Sequence, residues 1–292
     1  MKIVHRLFLL AVVCVMLGCR RSGQLARPGP RQTVYGVKGV VREVNPAESS
    51  LTIEHEDIPG FMPAMTMSFA VKDPTLIQKL VADDRVRFQL AVTETDSWIV
   101  SIAKIPGLIE PSTASARPSE GPALEPGQVV PNFAVIDQDG RTIQLQDYRG
   151  QAVVVTFIFT RCPLPNYCPL MSRNFSVLQK ELRQQFPEKV HLLSISFDPA
   201  HDTTAVRKEY AENYGADPKD WSFATGTPSQ IKSVATLFGL TYEMQGVSIT
   251  HNLRTALIGP NGRLVHVWKS NTWQPREVTN MIQGIQPIPS GG

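Results

Sequence analysis

The fold is decided by one stretch in the middle of the chain, Phe157-Ile-Phe-Thr-Arg-Cys162-Pro-Leu-Pro-Asn-Tyr-Cys168-Pro169. Residues 152–159 form a continuous β-branched and aromatic run, which predicts a strand buried on both faces. Behind Pro169, apolar side chains recur at helical spacing, namely Met171, Phe175, Leu178 and Leu182. Because proline suits the first turn of a helix, Cys168 is predicted at a helix N-terminus, where partial positive charge and free N–H groups favour thiolate.

Strands and helices alternate through residues 131–288, the predicted second domain. The pattern predicts strands at 152–159 and 190–197, helices at 169–185, 204–214 and 276–285, and a hairpin of 255–258 with 263–268. Thr227-Pro-Ser-Gln230 is a capping box with proline at the first helical position, so it predicts one more helix. This order of elements indicates an α/β thioredoxin-like domain with the two cysteines at its active-site corner.

The chain before this domain is rich in short strands. Five strands are predicted, at 34–44, 50–55, 65–71, 85–92 and 98–105, with a brief helix at 75–82. Five short strands in so few residues indicate a small, closed, all-β OB-like barrel over residues 33–105. Residues 106–130 are crowded with proline, serine and glycine and are predicted to be a linker. The predicted fold class is therefore two domains, an all-β OB-like barrel followed by an α/β thioredoxin-like domain.

The N-terminal residues carry a targeting pattern. Residues 7–17 are an apolar run of eleven, which is too short to span a bilayer and suits a signal-peptide core, so residues 1–18 are predicted to be a signal peptide. The run ends in Met16-Leu-Gly-Cys19, which resembles a bacterial lipoprotein box with lipid on Cys19; plain cleavage further along is the alternative. Residues 19–32 form the predicted tether. The expected location is the bacterial cell envelope, facing the periplasm, with a lipid anchor in the membrane at Cys19.

Charge and cysteine usage narrow the function further. A net charge of +3 over 292 residues is too small and scattered to indicate nucleic-acid binding, and none is predicted. In an oxidising compartment cysteines serve disulfides or metal, and Cys162 and Cys168 are the internal pair. The thioredoxin-like topology places the loop of His251 opposite them, and two thiolates with an imidazole suit Cu(I), or zinc less well. A structural disulfide, with His251 bonded only to backbone, is the alternative; Asp198 is expected nearby, as a neighbour of the site or a helix cap.

The motifs of this domain resemble a known family. They are Phe157-Ile-Phe-Thr-Arg-Cys162 with Cys168-Pro169, Ser194-Ile-Ser-Phe-Asp198-Pro199, and His251 with Leu257-Ile-Gly-Pro-Asn-Gly262. Residues 131–285 are similar in these motifs to the Sco (SenC) family of exported copper chaperones and thiol reductases. The resemblance implies that Cys162, Cys168 and His251 bind copper as Cu(I), with Cu(II) as the alternative, and that the acceptor is the CuA-bearing copper subunit of cytochrome oxidase or another copper acceptor. In two departures, five residues instead of three separate the cysteines, and Thr250 stands where aspartate is common.

A second soft-metal pattern lies in the first domain. Met65 and Met67 are two residues apart, so on a strand both thioethers project from one face, and His55 ends the preceding strand. Thioether sulfur suits Cu(I), although methionines also fill the cores of small barrels. The pattern resembles the CusF-like periplasmic copper-binding barrels, which implies that His55, Met65 and Met67 hold Cu(I). Met62-Pro63 occupies the place of that family's Trp-Pro, so Met62 is predicted to supply an additional sulfur.

Two soft-metal sites in one exported chain predict a copper protein that buffers and delivers Cu(I), with the barrel acquiring the ion and the second domain passing it on. Copper binding at Cys162 and Cys168 needs the dithiol, so an external thiol reductant is a predicted partner. A metallochaperone is favoured over an enzyme. One alternative is a periplasmic thiol-disulfide oxidoreductase in which Cys162 and Cys168 are the catalytic redox pair. The other is copper sequestration for resistance, which uses the same metal ligands.

Overall fold

The computed structural model describes residues 32–106, 123–245 and 248–285, which belong to one compact unit. The predicted signal peptide and lipid site, nearly all of the tether and most of the predicted linker lie outside the described residues. The described part of the chain is built on two five-stranded sheets, one before and one after that linker. Within these ranges we find no helix with the length and apolar character needed to cross a membrane.

The first sheet is antiparallel throughout. Its strands are β1 (Thr33–Asn45), β2 (Ser50–His55), β3 (Met65–Ala70), β4 (Arg85–Val92) and β5 (Ser97–Lys104). They lie in the order β3-β2-β1-β4-β5, so the 13-residue β1 is central and pairs with β2 on one side and β4 on the other. The prediction of five strands in an all-β domain is confirmed.

Two details of this domain differ from the predictions. The sheet is not closed by a continuous ladder among the described residues; a single parallel bridge between Val71 and Ile99 links its two edges. The predicted helix at 75–82 is one 3-10 turn, Pro74–Leu76, where the Asp73 carboxylate accepts a hydrogen bond from the Thr75 N–H at 2.9 Å. Beyond that turn the backbone continues in i→i+3 bonds, such as Leu80 N–H to the Ile77 carbonyl, so no α-helical turn is completed.

The second sheet combines parallel and antiparallel pairing. The later strands are β6 (Ala134–Ile136), β7 (Thr142–Gln144), β8 (Ala152–Ile158), β9 (Val190–Ser196), β10 (Trp221–Ala224), β11 (Tyr242–Gln245), β12 (Ser248–His251), β13 (Thr255–Ile258) and β14 (Leu264–Trp268). The helices are α1 (Cys168–Gln185), α2 (Thr204–Asn213), α3 (Pro228–Leu237) and α4 (Pro275–Gln283). The sheet order is β10-β9-β8-β13-β14, with β8, β9 and β10 parallel and the β13–β14 hairpin antiparallel.

This arrangement confirms the predicted thioredoxin-like domain. Every residue of β8 is buried, as the apolar run predicted, because helices cover both faces of the parallel part of the sheet. The predicted capping box is present, with the Thr227 hydroxyl accepting from the Gln230 N–H at 3.3 Å. Three features were not predicted: the hairpin β6–β7, the short β10, and the pair β11–β12, which places His251 at the end of a strand and not in a loop.

The end of the predicted linker contacts the second domain. Leu124 N–H donates to the Leu237 carbonyl, Gly127 N–H donates to the Leu264 carbonyl, and Val130 is buried in the core of the second domain. Residues 123–130, which the proline and glycine content assigned to the linker, therefore pack against the second domain through backbone hydrogen bonds.

A buried histidine on β9 makes the stability of this domain sensitive to acid. His191 is 4% exposed, stacks on Tyr148 and hydrogen-bonds Ser222 at 3.0 Å, and its burial lowers its pKa to about 4. Between about pH 6.5 and 4, His191 is protonated in the unfolded chain but neutral in the folded chain. The free energy of unfolding therefore falls as the pH drops through that window. We expect this histidine alone to lower the free energy of unfolding by about 2 kcal/mol between pH 7 and pH 5.

Urea unfolding of the metal-free protein at pH 7 and pH 5 measures this loss. The His191→Gln chain should lose about 2 kcal/mol less than the parent over the same interval. The matched control is His201→Gln, which replaces an exposed imidazole and should leave the parent pH dependence unchanged. An unchanged pH dependence in His191→Gln would contradict the prediction.

Candidate metal centre

The first domain presents the predicted histidine and methionines on one face of its sheet. His55 ends β2 and is paired across the ladder with Met65 of β3, and Met67 lies two residues further along β3 on the same face. His55 and Met67 are 2% and 6% exposed, whereas Met65 is partly exposed. Met62, at 3% exposure, is packed into the same core. The methionines are thus part of the domain core or packed against it, and Met65 lies directly across the ladder from His55.

One nitrogen of His55 is buried without a partner. Its Nδ1 lies 2.7 Å from the Glu56 carbonyl oxygen, and since a carbonyl only accepts, Nδ1 carries the proton. The other nitrogen, Nε2, therefore has a free lone pair, and it is a buried polar atom with no hydrogen-bond partner. Burial also lowers the pKa of His55, which favours the neutral ring. An unsatisfied buried acceptor costs about 1–3 kcal/mol, and a soft metal ion beside the thioethers would satisfy it.

The two cysteines of the second domain lie in different surroundings. Cys168 is the first residue of α1 and is 0% exposed, and Cys162 is partly exposed on the loop that follows β8. Burial and the hydrogen bond with Cys162 raise the pKa of Cys168 well above its usual value. Burial alone would also raise the pKa of Cys162, but hydrogen bonds from the side chain and backbone of Cys168 bring it below its usual value.

This corrects one expectation from the sequence. The helix N-terminus was expected to make Cys168 the thiolate, and the helix does begin there. However, Cys168 is completely buried and its pKa is raised in spite of the helix dipole. The pKa of Cys162 is lowered instead, because Cys162 has hydrogen bonds and some access to solvent. Of the two thiols, Cys162 therefore loses its proton more readily.

His251 reaches the same corner from β12. Its Nδ1 lies 2.8 Å from the Asn252 carbonyl oxygen, so Nδ1 holds the proton and Nε2 is free to accept or to coordinate. The ring packs against Phe159 and Phe197, with centroid separations of 5.6 and 4.9 Å, and against Tyr167. These neighbours lower the pKa of His251 to about 4 through burial, so the imidazole is neutral near pH 7. The backbone bond and a ligand role are compatible because they use different nitrogens.

The predicted ligands of the two domains meet at one small cavity. Its volume is about 20 Å³, enough for one water-sized particle, and its wall includes the side chains of Met62, Met65, Met67, Cys162 and His251. Cys168 and His55 do not line it. Within the described ranges, no three His, Cys, Asp or Glu side chains are grouped closely enough to hold a metal ion. The structure therefore brings Cys162 and His251 together with the methionines, but it does not assemble Cys162, Cys168 and His251 as a three-ligand group.

The loop between the two cysteines packs on the first domain and so brings Cys162 close to the methionines. Leu164 and Tyr167 are 2% and 6% exposed and belong to the hydrophobic core of the first domain. Asn166 Nδ2 donates to the Ser97 carbonyl at 3.0 Å, and the Ser97 hydroxyl donates to Asn166 Oδ1 at 2.6 Å. The Tyr167 hydroxyl donates to the Ser68 carbonyl of β3. Sequence reasoning missed these residues; the unusual five-residue spacing between the cysteines was the signal that could have identified them.

Asp198 does not have the predicted helix-capping role. The cap of α2 is Thr203, whose hydroxyl accepts from the Val206 N–H at 3.4 Å. Asp198 is fully buried and accepts a hydrogen bond from Arg161 Nε at 2.8 Å, beside Cys162 in the chain. The carboxylate therefore anchors the residue that precedes Cys162, and it holds the start of the cysteine loop.

The fold and the paired cysteines define a thioredoxin-like protein with a soft-metal corner. Residues 121–286, more than half of the chain, match the family model SCO1/SenC, and residues 34–104 match that of the copper binding periplasmic protein CusF. The chain therefore belongs to the SCO1/SenC family and carries a CusF-like domain in front of it. Both are copper-binding families, so copper is the metal that the matches indicate.

One curated relative and two solved structures are similar to the second domain of this chain. The SCO1 protein homolog of Bacillus subtilis (strain 168) is 30% identical over 137 residues, which are 46% of this chain and 69% of that protein. The SCO1/SenC family lipoprotein of Bacillus anthracis str. Ames covers 56% of this chain and 99% of its own, with a TM-score of 0.50 and 22% identity, which shows the fold alone. The structure of BsSco, a member of the Sco family of cytochrome c oxidase assembly proteins with a disulfide switch, is 26% identical and covers 55% of this chain and 95% of its own, with a TM-score of 0.48.

Proposed function

We propose that this protein is an exported copper chaperone that takes up Cu(I) in its first domain and delivers it through its second. His55, Met65 and Met67, with Met62 as an additional sulfur, hold the ion in the first domain. Cys162, Cys168 and His251 hold it in the second. The acceptor is the copper subunit of cytochrome oxidase or another copper acceptor, an external reductant keeps the cysteines as thiols, and lipid on Cys19 anchors the chain to the envelope.

One observation carries this proposal more than any other. The thioethers of the first domain and the Cys162 thiol and His251 imidazole of the second line the same cavity. Sulfur and imidazole donors without carboxylates are the ligand set that selects Cu(I) over hard ions such as Mg²⁺ and Ca²⁺. The free Nε2 of His55, buried without a partner, adds support for a metal ligand in the first domain.

A Cu(I) titration of the reduced protein against a chromophoric chelator tests the proposal. We expect two tightly bound equivalents. The His55→Ala and His251→Ala variants should each weaken one of the two by at least ~100-fold, since loss of an outer-shell partner alone costs 10–100-fold. His201→Ala, at an exposed histidine, is the matched control and should bind like the parent. The proposal would be contradicted if the protein bound no Cu(I), or if it bound two equivalents with an affinity that neither histidine variant changed.

A second candidate function rests on the contrast between the cysteines. A partly exposed Cys162 with a lowered pKa beside a buried Cys168 with a raised pKa is an arrangement suited to thiol-disulfide exchange, with Cys162 attacking and Cys168 resolving. Such an oxidoreductase would reduce a target disulfide at the expense of the dithiol, and the external reductant would restore it. It needs neither histidine, so disulfide reduction that persists in His251→Ala would favour this candidate over copper delivery.

A further inference from the structure

The cavity between the two domains has the composition of a metal site in its own right. Its wall has one thiol, one neutral imidazole and three thioethers, and none of the described Asp, Glu, Lys or Arg side chains lines it. Each of these donors is soft or borderline, and none of the thioethers needs to lose a proton to bind. A Cu(I) ion with the Cys162 thiolate would be electrically neutral as a pair, which limits the cost of placing it in an apolar wall.

Each of the two domains supplies part of the donor set in the cavity wall. Cys168 is fully buried at the start of α1 and does not reach the wall, so the second domain offers two donors there, Cys162 and His251. The first domain offers the thioethers of Met65 and Met67 opposite them, with β12 lying against β3. At this cavity, where Cys168 is not part of the wall, the first domain therefore supplies the third donor for a three-coordinate Cu(I) ion.

We propose that this cavity is a transit site in which one Cu(I) ion is held at the same time by Met65 or Met67 of the first domain and by Cys162 and His251 of the second. The inference rests on the proposed function and adds the route between its two sites. Transfer is then a stepwise ligand exchange inside one molecule: a bond from copper to Cys162 forms as the bond to His55 breaks. Copper stays Cu(I), no electron is exchanged, and the Cys162 thiol releases its proton to solvent on binding.

The five-residue cysteine loop is the part that holds the transit site together. Its Leu164 and Tyr167 are buried in the core of the first domain, and the two hydrogen bonds of Asn166 with Ser97 fix the loop to the start of β5. Arg173 on α1 links the loop to the first domain as well. Its Nη2 donates to the Thr95 carbonyl of the first domain at 3.2 Å and to the Pro165 carbonyl of the loop at 2.6 Å. The same loop that carries Cys162 therefore docks on the domain that carries the methionines.

X-ray absorption at the copper and selenium edges tests this site. The reduced, selenomethionine-labelled protein receives one equivalent of Cu(I). We expect selenium and thiolate sulfur to scatter from the same ion. Selenium scattering should weaken in Met65→Leu/Met67→Leu and disappear when Met62→Leu is added. The triple variant keeps the buried Met171 of α1, so loss of the signal excludes Met171 as its source. Thiolate scattering should disappear in Cys162→Ser. Selenium with nitrogen but no thiolate in the parent, or thiolate with nitrogen but no selenium, would overturn the transit site.

Variants of the docking contact supply a second test that leaves every donor in place. Asn166→Ala and the milder Ser97→Ala should lower the fraction of copper with mixed selenium and thiolate coordination by ~5-fold, because each removes a hydrogen bond that docks the loop on the first domain. The chain should still bind two equivalents. Asn132→Ala is the matched control, because the exposed Asn132 side chain makes its hydrogen bonds within the second domain: it donates to Gln144 Oε1 at 2.9 Å and accepts from the Gln146 N–H at 3.0 Å. Mixed coordination that is unaffected in both docking variants would contradict the role of the loop. Two equivalents with no mixed coordination would leave the proposed function standing and remove the transit site, whereas failure to bind copper would remove both.

Discussion

Cys162→Ser is expected to abolish the fast thiol reactivity of the folded, reduced, copper-free protein, whereas Cys168→Ser is expected to retain it. Alkylation by iodoacetamide at pH 7 should be slower in Cys162→Ser by ~100-fold, because buried cysteines are inert and thiolate is the reactive form. In the Cys168→Ser chain, serine keeps a hydroxyl that can donate to Cys162, so the thiolate of Cys162 retains a partner. Mass spectrometry of timed samples locates and counts the modified cysteines.

The same two variants in concentrated urea provide the control for this experiment. Once the chain is unfolded, both cysteines are exposed and should react at similar rates, so a difference that is confined to the folded state comes from burial and hydrogen bonding. Equal rates in the folded variants, or faster reaction of Cys168, would show that the helix N-terminus outweighs burial after all. The result matters for both candidate functions, because Cys162 is the attacking sulfur in one and the first thiolate to meet copper in the other.

Gly39→Ala is expected to have the second large effect, on both the stability and the copper binding of the first domain. Gly39 lies opposite His55 in the β1–β2 ladder. A Cβ atom at this position would lie 2.5 Å from the Glu54 carbonyl oxygen, 2.6 Å from Ile53 Cγ2 and 3.1 Å from His55 Cα. Since two of these neighbours are backbone atoms of β2, the strand itself must move. We expect a loss of about 3 kcal/mol in unfolding free energy and weaker Cu(I) binding by ~10-fold or more at the site of His55.

Gly36→Ala is the matched control for this substitution. Gly36 lies three residues earlier on the same strand, and a Cβ atom there would meet no heavy atom within 4 Å. It should leave Cu(I) binding unchanged and shift stability by less than about 1 kcal/mol. Urea unfolding and the chelator titration on both variants give the comparison. Equal behaviour of the two alanine variants would mean that β2 can move away from β1 without disturbing His55.

Local sequence patterns predicted most of the secondary structure because the forces behind them are local. The apolar run of 152–159 appears as the fully buried β8, and the Thr227 capping box begins α3 as predicted. The pattern failed where an element is short. Four residues of β10 are too few for a periodicity, and His251 was assigned to a loop because a strand as short as β12 gains its hydrogen bonds only from β11.

The sequence also predicted soft-metal residues by type and spacing, and its motifs alone resemble those of both families. The Met-x-Met pair with His55 and the cysteine pair with His251 are patterns of side-chain chemistry, which a sequence displays directly. The assignment of these residues as ligands remains a proposal that the titration tests.

Tertiary structure alone decided three matters, each of which depends on residues far apart in the chain. It showed that Cys162, and not Cys168, has the lowered pKa, because burial of Cys168 is a property of the packed domain. It left His55 Nε2 buried without a partner. It also joined the two predicted sites at one cavity, because the loop between the cysteines packs into the first domain. Spacing along a chain reports how many residues separate two cysteines, but only packing determines what those residues touch.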